Sequence, residues 1–234
     1  MKAILFDFDD TIINYAASEK IGLAGAFRKY GIPLREEYVG IYREENRKLW
    51  RQIETGEITT SELRILRFQA LLDQLGFETG VNAERLGETY LHFFAGSGEL
   101  EDGAGELLQW LDRNWKGKTA ILTNGFTDTQ RARIEVTRIG DFFDDIFISD
   151  EMGSKKPDPL IFQKSLQKLG VEDPSEAMIV GDNLVSDIMG GKNSGLRTCW
   201  YNPGLKDAGE YRQYIDFEIV HLSEIEDLVG KPAD

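Results

Sequence analysis

The chain has 234 residues, of which 41% are hydrophobic and 29% charged, a balance typical of globular proteins rather than disordered ones. Its 27 Lys and Arg residues stand against 41 Asp and Glu residues, and the formal net charge of -14 makes binding to a nucleic acid polymer unfavourable. Cys199 is the only cysteine and no apolar run approaches the roughly 18 residues of a membrane span, so we predict no intrachain disulfide, no membrane partner and a cytoplasmic location.

The first predicted element is a buried strand from Lys2 to Phe8, because a short apolar run ends there at acids and does not continue at helical spacing. From about Tyr15 to Phe94 the pattern is helical, and Thr59 with Glu62 predicts a capping box at the start of one helix. From Gly103 onward helices and strands alternate, as a parallel sheet with crossover helices requires. The predicted fold is α/β, a Rossmann-like open parallel sheet with a helical insert after its first strand.

The alternating part of the chain predicts a regular series of elements. In chain order these are helix Gly105 to Arg113, strand Lys118 to Leu122, helix Gln130 to Arg138, strand Asp145 to Ile148, helix Leu160 to Leu169, strand Ala177 to Val180, helix Leu184 to Asn193, strand Arg197 to Tyr201, strand Phe217 to Val220, and a helix opened by Ser223 and Glu226. The predicted domains are residues 1–14 with 96–234 as a Rossmann-like catalytic core, and residues 15–95 as the helical domain.

Polar residues follow four of the predicted strands, where ligands bind in open α/β sheets. The first group contains Asp7 and Asp9. Strand alternation would place the two carboxylates on the same side, where like charges repel unless a cation or a proton intervenes. Acids that simply end a strand and cap a helix are the alternative.

The second group contains Thr123, Asn124 and Gly125. The Thr123 hydroxyl and the nearby amides could bind an anion, helped by a helix N-terminus that Thr127 is predicted to cap together with Gln130. A plain Asn-Gly turn is the alternative.

The third group is the basic pair Lys155 and Lys156, which precedes Pro157 in an otherwise acidic chain. One lysine there could neutralise a phosphate or an attacking carboxylate, although two exposed lysines on a loop are the alternative. The fourth group contains Asp182 and Asp187, whose oxygens suit Mg²⁺. Helix capping by these acids is possible but does not explain why four such groups fall at strand ends in this order.

Together, Asp7-x-Asp9-x-Thr11, Thr123, Lys156 before Pro157, and Gly181-Asp182-x4-Asp187 resemble the four ordered motifs of the haloacid dehalogenase superfamily. The resemblance covers essentially the whole chain. It implies a Mg²⁺-dependent phosphohydrolase whose helical insert is a cap domain and whose partner is a small phosphorylated metabolite.

Roles follow from the resemblance residue by residue. It implies that Asp7 is the nucleophile and Asp9 the general acid and base, while Lys156 holds the charges together. Phosphate would be bound by Thr123, Asn124, Gly125 and Lys156. The metal ligands would be the carboxylates of Asp7 and Asp182 with the Asp9 carbonyl, supported by Thr11 and Asp187.

A finer resemblance concerns the substrate. The stretches from Leu49-Trp50 to Thr59, Thr123 to Thr127, and Gly190-Gly191 to Trp200 are similar to the noncanonical pyrimidine nucleotidase branch. This similarity implies a nucleoside 5′-monophosphate phosphatase that prefers pyrimidines. Alternatives are a phosphatase of another small metabolite such as phosphoglycolate or a sugar phosphate, a phosphosugar mutase, and a noncatalytic binding protein on the same fold.

Overall fold

The computed structural model of the protein describes residues 1–75 and 80–230. The chain forms two compact units. One comprises Met1–Tyr15 and the chain from Gly98 onward, and the other is continuous from Ala16 to Ser97. Among the described residues, every helix is too short or too polar to span a lipid bilayer.

The first unit contains a six-stranded, all-parallel sheet. Its strands β1 to β6 are Ala3–Phe6, Lys118–Thr123, Asp145–Ile148, Ala177–Gly181, Arg197–Tyr201 and Phe217–Ile219. They lie in the order β3-β2-β1-β4-β5-β6, so that the chain's first strand is central, pairing Ala3 with Lys118 on one side and with Ala177 on the other. This is the predicted Rossmann-like α/β fold.

Helices occupy most of the remaining described chain. The helices α1 to α10 are Tyr15–Lys29, Glu36–Thr55, Thr60–Gln74, Ala83–Ala95, Ala104–Asn114, Thr127–Thr137, Ser149–Met152, Pro159–Leu169, Gly190–Asn193 and Glu224–Val229. The segment Leu184–Met189, which leads directly into α9, is a π-helix, so the predicted helix from Leu184 to Asn193 has mixed geometry.

The strand β1 is apolar at every position because both faces of the sheet are covered. Ile4 and Phe6 pack into one core with residues of α5 and α10, while Ala3 and Leu5 pack into a second core with residues of α8. All four side chains are fully buried. This two-sided burial holds the end of β1, and the acids that follow it, at a fixed place in the sheet.

The helical unit has its own core. The predicted capping box is confirmed: the Thr59 hydroxyl accepts from the Glu62 amide, and the Glu62 carboxylate accepts from the Thr59 amide. The guanidinium of Arg67 lies 4.8 to 5.8 Å from the rings of three aromatic residues, Tyr42, Phe68 and Tyr90. These contacts place a buried cation among aromatic faces, where ring quadrupoles stabilise it.

Two helix starts differ from the predictions. The capping box predicted at Ser223 is wrong, because its side chain makes no capping bond and the Glu224 carboxylate instead accepts from the amides of Val220 and His221. The helix predicted from Gln130 begins three residues earlier, at Thr127, with Phe126 in the capping position.

Candidate active site

The site lies at the carboxyl ends of three neighbouring strands. Asp7 follows β1, Thr123 is the last residue of β2, and Asp182 follows β4. The strand order reverses between β1 and β4, and open α/β sheets bind ligands beside such a reversal. The sheet therefore brings three of the predicted motifs to one edge.

Three carboxylates and one ammonium form the centre of the site. Asp7, Asp182 and Asp187 each place an oxygen within 4.8 Å of the others. The Nζ of Lys156 lies 2.6 Å from Oδ1 of Asp7 and 2.7 Å from Oδ1 of Asp187, and this lysine is 1% exposed. One ammonium does not neutralise three ionised carboxylates. The cluster therefore has an excess of negative charge that a further cation would balance.

The pKa values reflect this charge imbalance. Burial and the charge of Asp187 raise the pKa of Asp7 to about 7, although Lys156 opposes the shift. Burial and the charges of Asp7 and Asp187 raise the pKa of Asp182 well above its usual value. Burial alone would lower the pKa of Lys156, but its ion pairs with Asp187 and Asp7 outweigh burial and raise it.

A divalent cation fits this donor set. Carboxylate oxygens are the hard ligands that Mg²⁺ prefers, and two positive charges would offset the excess negative charge of the cluster. Asp187 lies closer to this centre than the supporting role assigned to it implies, since its carboxylate is one of the three and pairs directly with Lys156.

Two glycines make the close packing around Asp187 and Lys156 possible. A Cβ on Gly181 would lie 2.4 Å from the carboxyl carbon of Asp187, and a Cβ on Gly190 would lie 2.8 Å from the Cα of Pro157. Either side chain would displace a neighbour of the site. The absence of a side chain at Gly181 is thus required by the Asp187 carboxylate that packs against it.

The side chain of Asn124 holds the backbone of the Lys156 loop. Its Nδ2 donates to the Lys156 carbonyl at 2.8 Å, and its Oδ1 accepts from the Lys156 amide at 2.8 Å. An amide side chain can make this paired contact because it carries both a donor and an acceptor. The sequence predicted only an anion-binding role near Asn124 and did not indicate this bridge between two loops.

Asp9 has partners different from those of Asp7. The strand β1 ends at Phe6 and not at Phe8, so Asp7 and Asp9 lie outside it. Contrary to the prediction, strand alternation therefore does not place their carboxylates on the same side. Oδ1 of Asp9 accepts from Nη1 of Arg133 at 2.5 Å, and Oδ2 accepts from Nε2 of Gln130 at 2.8 Å. Sequence reasoning missed Arg133, which had no recognisable motif around it.

Gln130 does not cap α6, contrary to the prediction. The capping residue Phe126 makes no side-chain bond, and the Gln130 side chain turns to Asp9 and to Thr123. The Thr123 hydroxyl accepts from Gln130 Nε2 at 2.9 Å and from the Gly125 amide at 3.2 Å. With both lone pairs accepting, the hydroxyl proton is left to donate, which suits a phosphate oxygen.

Two further predicted residues lie near these groups in sequence. Thr11 is fully buried, and within residues 1–75 and 80–230 its hydroxyl has no hydrogen-bond partner. Lys155 is half-buried, in contrast to the fully enclosed Lys156. The structure therefore distinguishes the two neighbouring lysines by burial.

Comparison with known proteins agrees with this arrangement. Residues 1–195 match the family model of haloacid dehalogenase-like hydrolases. The structure of the HAD-hydrolase YfnB from Bacillus subtilis bound to magnesium superposes with a TM-score of 0.89 at 33% identity, covering 98% of this chain and 99% of that one. Pyrimidine 5′-nucleotidase YjjG of Escherichia coli is 36% identical over 199 residues, 85% of each chain. Glyceraldehyde 3-phosphate phosphatase of Pyrococcus furiosus is 30% identical, covering 99% of this chain and 94% of its own.

Proposed function

The chain belongs to the haloacid dehalogenase-like hydrolase family, and from this premise we propose that it is a Mg²⁺-dependent phosphatase of nucleoside 5′-monophosphates, with pyrimidines preferred. The observation that carries the phosphatase proposal is the buried Lys156 between Asp7 and Asp187, beside Asp182. The similarity to YjjG supports the nucleotide as substrate.

Asp7 is the proposed nucleophile. A carboxylate that attacks a phosphate dianion is repelled by it, and the charge of Lys156 offsets part of this repulsion. The Nζ of Lys156 also holds the Asp7 carboxylate in place, at 2.6 Å from its Oδ1. Attack of an Asp7 oxygen on phosphorus forms the new P–O bond as the bond to the leaving oxygen breaks, giving an aspartyl phosphate. Mg²⁺, held by Asp7, Asp182 and the Asp9 carbonyl, would supply the remaining positive charge.

Asp9 and Thr123 complete the proposed chemistry. Asp9 protonates the leaving oxygen and later takes a proton from the water that opens the aspartyl phosphate. The Thr123 hydroxyl donates to a phosphate oxygen. Asn124 supports both half-reactions indirectly, because it holds the loop from which Lys156 projects. We assign Gly125 an amide contact to phosphate and Thr11 a supporting role for the metal ligands. Asp187 supports the same ligands from within the carboxylate group, through its ion pair with Lys156.

A monophosphate fits the charges of this protein better than a triphosphate does. One metal ion and one lysine can offset a dianion, but the formal net charge of -14 disfavours a more highly charged ligand. We assign the choice among monophosphates to the helical unit, Ala16–Ser97, acting as a cap.

Mg²⁺ is expected to raise the melting temperature of the protein more at pH 8 than at pH 5.5. The folded-state pKa of Asp7 is raised to about 7, and that of Asp182 is also raised. In the metal-free protein these groups therefore contribute stability at low pH that is lost as pH rises from about 4 through 7. The loss occurs because both carboxyl groups ionise in this range and their negative charges then repel each other. Metal binding needs the ionised carboxylates and relieves that repulsion.

The measurement is a pair of thermal denaturation curves, with chelator and with saturating Mg²⁺, at each pH. Asp182→Asn serves as the control, since loss of one ligand should reduce the Mg²⁺-dependent shift at pH 8. Hydrolysis should stop on chelation and resume when Mg²⁺ is added. A shift that is equal at both pH values, together with full activity in chelator, would contradict the metal assignment.

The substrate proposal is tested with a panel of pyrimidine and purine nucleoside 5′-monophosphates, phosphoglycolate and sugar phosphates, compared by kcat/KM. We expect a pyrimidine monophosphate to lead by about tenfold or more, a transition-state preference of about 1.4 kcal/mol. A sugar phosphate or phosphoglycolate that leads by the same margin would refute the nucleotidase proposal and leave the phosphatase proposal intact.

A further inference from the structure

The helix α6 carries two buried polar side chains, Gln130 and Arg133, that the proposed mechanism has not used. Gln130 is 1% exposed and Arg133 is 0% exposed. An amide and a guanidinium at such depth are costly unless they are hydrogen-bonded. Their partners include each other, Asp9 and Thr123, so both residues contact groups to which we assign roles in catalysis.

The amide of Gln130 is held in one orientation. Its Nε2 donates to Oδ2 of Asp9 at 2.8 Å and to Oγ1 of Thr123 at 2.9 Å, and its Oε1 accepts from Nη1 of Arg133 at 3.2 Å. The reverse orientation would place Oε1 against a carboxylate and lose both donated bonds. Gln130 therefore fixes the distance between Asp9, which follows β1, and Thr123, which ends β2.

Arg133 fixes the other oxygen of the same carboxylate. Its Nη1 lies 2.5 Å from Oδ1 of Asp9, and its guanidinium lies 5.0 Å from the centre of the Phe8 ring. Two consecutive residues, Phe8 and Asp9, thus hold the guanidinium by a ring face and by a charge. Because each oxygen of Asp9 has its own donor from α6, the carboxylate cannot rotate without losing a bond.

The Gln130 side chain packs directly against Gly125, where no side chain fills the space. A Cβ on Gly125 would lie 2.3 Å from Nε2 and 2.6 Å from Cγ of Gln130. Any side chain at Gly125 would therefore push Gln130 away from Asp9 and Thr123. This close approach is independent of the hydrogen bonds and indicates that the position of Gln130 is specific.

We propose that Gln130 and Arg133 are positioning residues that hold Asp9 for proton transfer to the leaving oxygen, and that Gln130 also directs the Thr123 hydroxyl toward phosphate. The inference rests on the proposed function, since it uses the roles assigned there to Asp9 and Thr123. Arg133 contacts Asp9 directly and reaches Thr123 only through Gln130, whereas Gln130 contacts both Asp9 and Thr123. This difference separates the two residues in kinetics.

The test compares kcat/KM for phenyl phosphate and p-nitrophenyl phosphate, which share a ring but differ in how much their leaving oxygen needs a proton. Arg133→Met should lower kcat/KM for phenyl phosphate about 30-fold or more, with a loss of no more than about threefold for p-nitrophenyl phosphate. Gln130→Met should lower kcat/KM for p-nitrophenyl phosphate by about tenfold, because the Thr123 hydroxyl loses the bond that directs it. It should lower the phenyl phosphate value further still, because Asp9 also loses a donor, so the ratio of the two substrates changes as well.

Arg131→Met is the matched control. Arg131 lies on the same helix, but its side chain is exposed and pairs with Glu151 at 2.6 Å. This variant should change neither value by more than about twofold. Arg133→Lys, which keeps the charge, should recover part of the phenyl phosphate activity.

A background of Asp9→Asn shows whether Arg133 acts through Asp9. In that background Arg133→Met should change the ratio of the two substrates by less than about twofold, because the group it positions no longer transfers a proton. The proposal would be overturned if Arg133→Met lowered kcat/KM equally for both substrates and did so in the Asp9→Asn background as well. Arg133 would then have only a structural role.

The wild-type protein separates this inference from the proposed function. If it hydrolyses no phosphomonoester in Mg²⁺, the proposed function fails. If it is active and the folded variants keep the wild-type ratio of the two substrates, the positioning role alone fails. Circular dichroism and thermal denaturation establish folding, and if Arg133→Met does not fold, Gln130→Met decides the question through the same substrate ratio.

Discussion

Asp7→Asn is expected to abolish hydrolysis, with a loss of kcat/KM on the order of 10⁴–10⁶-fold, as for removal of other enzyme nucleophiles. An amide oxygen is a poor nucleophile, so no phosphoenzyme should form. The substitution hardly changes side-chain volume and removes one of three crowded carboxylates around one ammonium. The metal-free variant should therefore be at least as stable as the wild type.

The measurement combines steady-state kinetics on p-nitrophenyl phosphate with mass spectrometry of acid-quenched protein. Wild-type protein should show the added mass of one phosphoryl group, and Asp7→Asn should not. Asp150→Asn is a matched control, because Asp150 is an exposed aspartate outside the carboxylate cluster. Retention of phosphoenzyme in Asp7→Asn would assign the nucleophile to another residue.

Lys156→Met is expected to lower kcat/KM by about 10²–10³-fold, the usual loss on removing one charge aimed at a reacting group. Methionine keeps most of the volume of the lysine side chain, so the loss of activity does not arise from a cavity. Asp7 and Asp187 would lose their shared cation while still buried. Removal of one partner from a buried pair typically costs about 3–5 kcal/mol of unfolding free energy.

Lys155→Met provides the comparison, since it removes the same charge from the neighbouring residue, which is only half-buried. We expect less than about a threefold loss of activity and a change in unfolding free energy within about 0.5 kcal/mol. Both variants are measured in saturating Mg²⁺, which should restore part of the stability lost in Lys156→Met. The reverse ranking of the two lysines would place the functional lysine one residue earlier.

The fold and the central charges of the site were predictable because they depend on patterns that are local in sequence. Apolar runs that end in Asp7, Thr123 and Asp182 indicate buried parallel strands, and the carboxyl ends of such strands meet at one edge. The proline after Lys156 distinguished it from Lys155 through the resemblance to a known family. The two lysines do differ in burial as that distinction requires.

The side-chain network around Asp9 was not predictable, because it joins residues that are far apart in sequence. Gln130 three residues after Thr127 matches the spacing of a capping box, and only the position of α6 above β1 and β2 shows that its amide serves Asp9 and Thr123 instead. Arg133 on a helix resembles any solvated arginine until its burial is known. The bridge from Asn124 to Lys156 likewise depends on how two loops meet.

The central place of β1 in the sheet has a consequence for how the protein folds. β1 is the first of the six strands along the chain, yet its two neighbours, β2 and β4, begin at Lys118 and Ala177. Contacts so distant in sequence are slow to form because long loops must close first, whereas the contacts within Ala16–Ser97 are closer along the chain. We therefore expect the apolar residues of β1 to gain their final neighbours late in folding, and Asp7, the proposed nucleophile, to be among the last residues to reach its native environment.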